Sequence, residues 1–368
     1  MILILAEDYP SQNHKYALAY IHTRNLYYKK MGLEFTVLNF RAKSSYTYEG
    51  INVISYEDYK QKESSSKIDL LISHAPNLRN HVKFMVKNNR NIEKILMVFH
   101  GHEVLKYTKY YPKPFHFNNA NKGKNFVQNV YDSIKLPSMR FIIRKYLKQN
   151  KITLLFVSEW MRTHFELNVK INKNEYMDHS IVIPNSSHPI FVDNSYQYNQ
   201  LEKEADFITI RPFDNPKYGV DIVRELAIKH PELTFHVYGK GEYFKHFNPP
   251  SNLTVIDKFF NQSELATILN KYRAALMPTR LDAQGVMMCE MATFGIPMIT
   301  SDIPICKEML ASFDNAFFFN NNKMDIDLHD ILKNINETNE KNMTFSNTNT
   351  THKEFELIQK IINGEKIK

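Results

Sequence analysis

Short apolar runs rich in β-branched and aromatic residues recur along this chain, and segments of helical period separate them. Met1–Ala6, Glu34–Phe40, Asp69–Ser73, Lys94–Phe99 and Thr153–Val157 read as strands, with a helix over Tyr16–Met31 after the first. A strand that is apolar on both faces must be covered on both, as in a mostly parallel sheet between helical layers. The pattern restarts after 181–189, which holds two prolines and two serines. Asp206–Ile210, Thr234–Tyr238, Leu253–Ile256, Ala274–Met277 and Pro297–Thr300 are the second set of strands. Helices are expected over Val220–Lys229, over Glu264–Tyr272 with Ser263 as N-cap, and over Met287–Phe294.

The chain thus divides into two α/β, Rossmann-like domains, residues 1–187 and 188–350, and ends in an amphipathic helix within 351–368 that carries Phe355, Ile358, Ile361 and Ile362 on one face. The asparagine-rich stretches 115–128 and, in part, 321–350 read as loops. A length of 368 residues suits two domains, and 43% hydrophobic residues suffice for two cores. The two cysteines, Cys289 and Cys306, form no CxxC pair, which excludes a disulfide framework and a zinc-finger spacing. The first residues enter a strand directly, without the basic start of a signal peptide, and the longest apolar runs are too short to span a bilayer. A cytoplasmic protein is expected, free or at the inner face of the cytoplasmic membrane. A net charge of +8 favours anionic partners. No nucleic-acid module is recognisable, so no nucleic-acid partner is expected.

Residues 278–302 concentrate the chemistry. A strand feeds a loop with Gly285, and a helix begins at once. Backbone amides at such a helix start, with a glycine that permits close approach, form a seat for phosphate. Asp282 in the loop and Glu290 in the helix can accept hydrogen bonds from sugar or ribose hydroxyls. Arg211 and Lys217 lie together in the loop after Asp206–Ile210, where two cations can neutralise a leaving diphosphate.

These residues resemble the donor-binding signature of the retaining glycosyltransferase family 4, whose fold is GT-B: two Rossmann-like domains facing each other across a cleft, with a C-terminal helix crossing back to the first. The family pattern is Glu, seven residues and Glu, then Ala and Gly-x-Pro. Here Glu290, Ala292 and Gly295-Ile296-Pro297 match, while Asp282 replaces the first Glu. Val182–Asn185 resembles the family's interdomain hinge, Val237–Gly241 its glycine turn and Phe345-Ser346 the return segment. By this resemblance Glu290 holds the ribose, and Gln284, Gly285, Val286, Met287 and Gly239 line the donor. Arg211, Lys217, Asp282 and His100 are then the catalytic set. The implied reaction is hexosyl transfer, with retention, from a UDP- or GDP-sugar to a glycan or lipid-linked acceptor in polysaccharide or glycolipid assembly. Neither cofactor nor metal is expected.

The first domain carries a weaker pattern. His100-Gly101-His102-Glu103 follows the strand ending at Phe99, at the sheet edge where ligands bind, and lacks HExxH spacing. His100 can serve a sugar hydroxyl or simply make a structural hydrogen bond; His74 closes the preceding strand in the same way. Glu7–Ser11 replaces the family's Gly-Gly turn, so contacts there must use side chains. Residues 135–151 form a basic, partly amphipathic helix with Arg140, Arg144, Lys145 and Lys148. It suits an anionic membrane surface, or is an ordinary helix with a solvated basic face. Two further functions stay open. One is a sugar-nucleotide epimerase or phosphorylase of the same fold. The other is a non-catalytic module that binds a nucleotide-sugar or a membrane surface.

Overall fold

The strands form two sheets. In the first, the order is β3-β4-β2-β1-β5-β6-β7-β8. Its members are β1 (Ile2–Ala6), β2 (Thr36–Asn39), β3 (Tyr46–Tyr48), β4 (Ile51–Ser55), β5 (Ile68–His74), β6 (Ile92–Phe99), β7 (Ile152–Phe156) and β8 (Ser180–Val182). All pairings are parallel except β3 with β4. The second is β11-β10-β9-β12-β13-β14, parallel throughout. It comprises β9 (Ala205–Ile210), β10 (Phe235–Tyr238), β11 (Leu253–Ile256), β12 (Tyr272–Leu276), β13 (Met298–Ser301) and β14 (Ala316–Phe319). This computed structural model describes every residue except 13, 15–17, 63–65, 118–121, 199–201, 338–339 and 368.

The chain clusters into two units. The first is Met1–Tyr107, Val127–Ser186 and Asn347–Lys368; the second is Thr108–Phe126 and Ser187–Ser346. In the second sheet the chain leaves β9 toward β10 and β11, then returns to build β12, β13 and β14 on its other side. The strand order therefore reverses between β9 and β12, and the carboxyl ends of those strands open the crevice where α/β sheets place ligands. The loops after β9 and β12 are the ones that hold Arg211, Lys217 and Asp282.

Helices in the first unit include α1 (Ala19–Lys30), α2 (Lys83–Lys87), α3 (Lys122–Lys148), which belongs to it from Val127 on, and α4 (Glu159–Val169). The second unit has α5 (Val220–Lys229), α6 (Gln262–Leu269) and α7 (Val286–Phe294); the terminal α8 (Thr351–Asn363) returns to the first unit. Phe355 and Ile358 of α8 enter a core with Ile4, Val37, Leu70 and Leu96. Next to them, Glu354 is fully buried and accepts from Arg24 Nε of α1 at 2.7 Å, while Arg24 Nη1 donates to Asn185 Oδ1 at 2.6 Å. An amphipathic helix with one acid in its apolar stripe is stable there because a buried cation waits for that acid.

Several sequence expectations are corrected. Residues 108–117 were expected with the first domain, but Phe115 and Phe117 stack beside Tyr243, His246 and Phe247 of the second unit. The expected loop 115–128 is already helical from Lys122, and its residues 118–121 lie outside the described ones. The first helix begins at Ala19; Tyr16 and Ala17 lie outside the described residues. The N-cap of α6 is Asn261, whose side chain accepts from Glu264 N–H while Glu264 reaches back to the Asn261 N–H. That capping box outcompetes a cap at Ser263 because it satisfies two end amides at once. Strands β3, β4, β8 and β14 were not expected; they are only three to five residues long, too short to show a period of their own.

The basic helix also departs from expectation. It runs over 27 residues with Pro137 inside. Lys135, at the start of the expected segment, is buried, pairs with Asp132 at 2.8 Å and donates to the carbonyls of His102 and Leu105. Arg140 donates to Val169 O, and Arg144 makes a two-pronged pair with Glu175. Three of its cations therefore serve the first unit itself.

Candidate active site

The loop after β9 is held in a fixed path by local hydrogen bonds. Asn215 Oδ1 accepts from Lys217 N–H, a short 3-10 turn covers Pro216–Tyr218, and Gly219 closes it at φ 64°. A side chain on Gly219 would meet Pro278 at 3.1 Å, so a glycine is needed both for the left-handed turn and for the contact with the next loop. The Lys217 carbonyl accepts from Arg280 N–H at 2.8 Å and from the Thr279 hydroxyl at 3.1 Å. The Arg280 guanidinium donates to Pro216 O and to both oxygens of Asp221, at 2.8 and 2.6 Å. Through Arg280 the loop after β12 thus fastens the loop after β9. Neither Arg280 nor Asp221 is legible in sequence as part of a site, because their meeting depends on the β9–β12 pairing.

On this frame, Arg211 and Lys217 share one aromatic neighbour. The Arg211 guanidinium lies 5.5 Å from the Tyr218 ring centroid and Lys217 Nζ lies 5.1 Å from it. Arg211 is buried, and its Nε has no hydrogen-bond partner. Burial pulls its pKa below the ordinary value, and the Asp282 carboxylate opposes that fall. An unpaired buried donor costs free energy, and an anion brought to Arg211 would relieve that cost. Lys217 Nζ stands 3.7 Å from Asp282 Oδ1, and Asp282 also accepts from the Ala283 N–H.

Asp282 leads straight to the start of α7. Gly285 is its N-cap at φ 76°, and a Cβ there would stand 3.7 Å from Asp282 Oδ2. No side chain caps the helix, and no acid lies in its first turn. The amides of Val286 and Met287, both half-buried, belong to that uncapped turn, while Gln284 is buried beneath it. Further along, Glu290 is buried, and its Oε1 accepts from the His188 N–H at 3.3 Å. Burial raises its carboxyl from the ordinary 4.5 to about 7, with the His188 amide pulling the other way. Beside Gly239 the Arg211 N–H donates to Tyr238 O, and a Cβ on Gly239 would stand 1.9 Å from Arg211 O, so only a glycine fits there. It keeps the strand end beside Arg211 close-packed.

Nine of the ten expected residues thus lie in the second unit. Arg211, Lys217, Asp282 and Gly285 converge through the contacts above, with Gln284 just before the N-cap and Val286, Met287 and Glu290 along α7. His100 belongs to the first unit, at the end of β6. Its Nε2 is 3.2 Å from His74 Nδ1, and its ring lies against Tyr20. Burial above all, then Arg24, holds its pKa well below the ordinary value, so the ring is neutral. The Glu103 carboxylate accepts from the N–H groups of His100 and Gly101, at 2.9 and 2.5 Å, which explains the HGHE turn as a local backbone clasp. Among the described residues no group of His, Cys, Asp and Glu side chains is arranged to hold a metal ion.

Comparison with known proteins bears on this arrangement. Residues 197–352 match the family model described as "Glycosyl transferases group 1". No curated protein matches the chain. Among solved structures, sucrose-phosphate synthase from Thermosynechococcus elongatus superposes with a TM-score of 0.70 at 10% identity, covering 99% of each chain. WaaG, a glycosyltransferase involved in lipopolysaccharide biosynthesis, gives 0.58 at 12%, covering 90% of each. The catalytic domain of starch synthase IV from Arabidopsis thaliana, bound to ADP and acarbose, gives 0.54 at 11%, covering 98% of this chain and 99% of that one. The chain therefore has the fold of the GT-B glycosyltransferases, and the part of it that matches the group 1 glycosyl transferase model contains Arg211, Lys217, Asp282 and the whole of α7.

Proposed function

We propose that this chain is a retaining glycosyltransferase that moves a hexosyl group from a UDP- or GDP-sugar to a hydroxyl of a glycan or lipid-linked acceptor. The observation that carries the reading is the buried Arg211 with an unpartnered Nε, set beside Lys217 and linked through Asp282 to the uncapped start of α7. A diphosphate seated there would meet two cations and the positive end of a helix.

As the bond between the sugar and the diphosphate breaks, its electron pair goes to the diphosphate oxygen. Arg211 and Lys217 stabilise the charge that grows there, so the role often taken by a metal is assigned to side chains. Glu290 accepts from a ribose hydroxyl. Asp282, shorter by one methylene than the family's Glu, accepts from the donor sugar. The family resemblance adds His100, as a neutral hydrogen-bond partner for that sugar. The starch synthase neighbour is described with ADP and with the oligosaccharide mimic acarbose, which supports a nucleotide donor and a glycan acceptor in this fold.

A thermal-shift panel of UDP-, GDP- and ADP-sugars tests the donor, because a ligand that binds the folded state raises its melting temperature. One of the three should raise it, and Arg211→Ala and Lys217→Ala should each cut turnover by about a hundredfold. Wild-type turnover in both variants would remove the proposed clamp. Conversion of the donor sugar without an acceptor would identify an epimerase, and donor binding without diphosphate release a binding module.

A further inference from the structure

Helix α3 carries its apolar residues on two sides, and only one of them is covered. Met139, Ile142, Ile143 and Tyr146 are buried in the first unit. Val127, Val130, Ile134, Pro137 and Phe141 follow one another three or four positions apart, so they form one stripe on the other side. That stripe is bare: Val127 is 66% exposed, Ile134 56% and Phe141 69%. Beyond Phe141 the same stripe continues into Lys145 and Lys148. Helix α2 extends the surface sideways, where an apolar groove between the two helices brings Val86, Lys83 and Lys87 alongside Pro137 and Phe141.

Apart from Glu175, which is paired with Arg144, the charges that α2 and α3 set around this stripe are positive. Asp132 is the one acid in α3, and it is buried against Lys135; α2 has none. Lys83, Lys87 and Lys148 are exposed. Arg140 and Arg144, the cations most prominent in the sequence, are bonded to Val169 and Glu175. The surface offered outward is therefore a row of apolar side chains edged by lysines.

We propose that this face of α2 and α3 seats the protein on an anionic lipid bilayer, with Phe141, Ile134 and Val130 entering the headgroup–acyl boundary and Lys83, Lys87, Lys145 and Lys148 meeting lipid phosphates. A bilayer offers both an apolar interior and a negative surface, the complement of this pattern. A second copy docking through the same face would set lysines against lysines. The residues of this face belong to the first unit and include neither Arg211 nor any residue of α7, so its test is independent of the donor assignment.

The experiment is co-sedimentation of the full chain with vesicles of phosphatidylcholine alone or mixed with phosphatidylglycerol. The protein should pellet with the mixed vesicles and much less with the neutral ones, and added salt should release it. Ile134→Ser with Phe141→Ser should lower the partition coefficient about tenfold or more. Lys83→Gln with Lys87→Gln, both solvent-exposed and so tolerated by the fold, should lower it about tenfold on mixed vesicles only. Arg144→Gln should leave it within about twofold. Equal pelleting with both vesicle types, no pelleting, or a partition indifferent to the lysine pair would overturn the proposal. So would light scattering that shows a dimer lost in Phe141→Ser, which would assign the face to a second copy.

Discussion

Lys217 Nζ lies 3.7 Å from Asp282 Oδ1, and each side chain is 18% exposed. The cation assigned to the diphosphate is therefore already facing an anion before any ligand arrives. Asp282 keeps Lys217 in place, and it also competes with a phosphate for that charge. Asp282→Asn should consequently bind the nucleoside diphosphate product up to about fivefold tighter, since a partly exposed pair is worth roughly 0–1 kcal/mol. Its turnover should fall, because the acceptor proposed for the donor sugar's hydroxyl is weakened. Calorimetry showing unchanged or weaker product affinity would mean that Asp282 does not compete for Lys217.

Arg280 acts on the site through the Lys217 carbonyl and Asp221 rather than by touching a ligand. Arg280→Lys keeps the charge but loses the fork that spans both Asp221 oxygens. We expect kcat to fall about tenfold with KM for the donor little changed, and the melting temperature to drop only slightly. A melting-temperature loss large enough to explain the activity would make Arg280 a purely structural residue.

Glu290 introduces a pH dependence. Its carboxyl titrates at about 7 in the folded protein, against an ordinary 4.5. Between those values the folded state binds more protons than the unfolded one, so stability falls as pH rises from about 4.5 to about 7 and levels off above. The full effect is about 3 kcal/mol. Glu290→Gln should remove that slope from the melting curve of the ligand-free protein. Donor affinity should show the opposite trend, weakening as pH drops through 7, because the carboxylate is the better acceptor for a ribose hydroxyl. A wild-type melting profile parallel to that of Glu290→Gln would contradict the assignment.

In the first unit, Glu354→Ala leaves the Arg24 guanidinium buried without the carboxylate that neutralises it, while its hydrogen bond to Asn185 stays. Removing one member of a buried ion pair costs about 3–5 kcal/mol, and urea unfolding should register a loss of that size. Arg24→Met combined with Glu354→Leu should recover most of it, since apolar residues of similar volume fill the same space without desolvation. If Glu354→Ala is neutral, the pair does not hold α8 in place.

What the amino-acid order determined was the local grammar. Apolar runs of strand length made parallel strands, glycines at strand ends made tight turns, and the Asp282–Pro297 spacing marked the loop after β12 and the helix α7 that follows it. These are properties of neighbouring residues, so a one-dimensional reading reaches them. The tertiary structure decided which distant groups satisfy one another. Arg280 meets Asp221 only because β9 pairs with β12. Lys135 is buried because Asp132 and two loop carbonyls are there to receive it. Phe117 finds His246 across more than a hundred residues of chain. Burial and charge pairing are sums over neighbours in space, and the linear order holds no record of those neighbours until the sheets have formed.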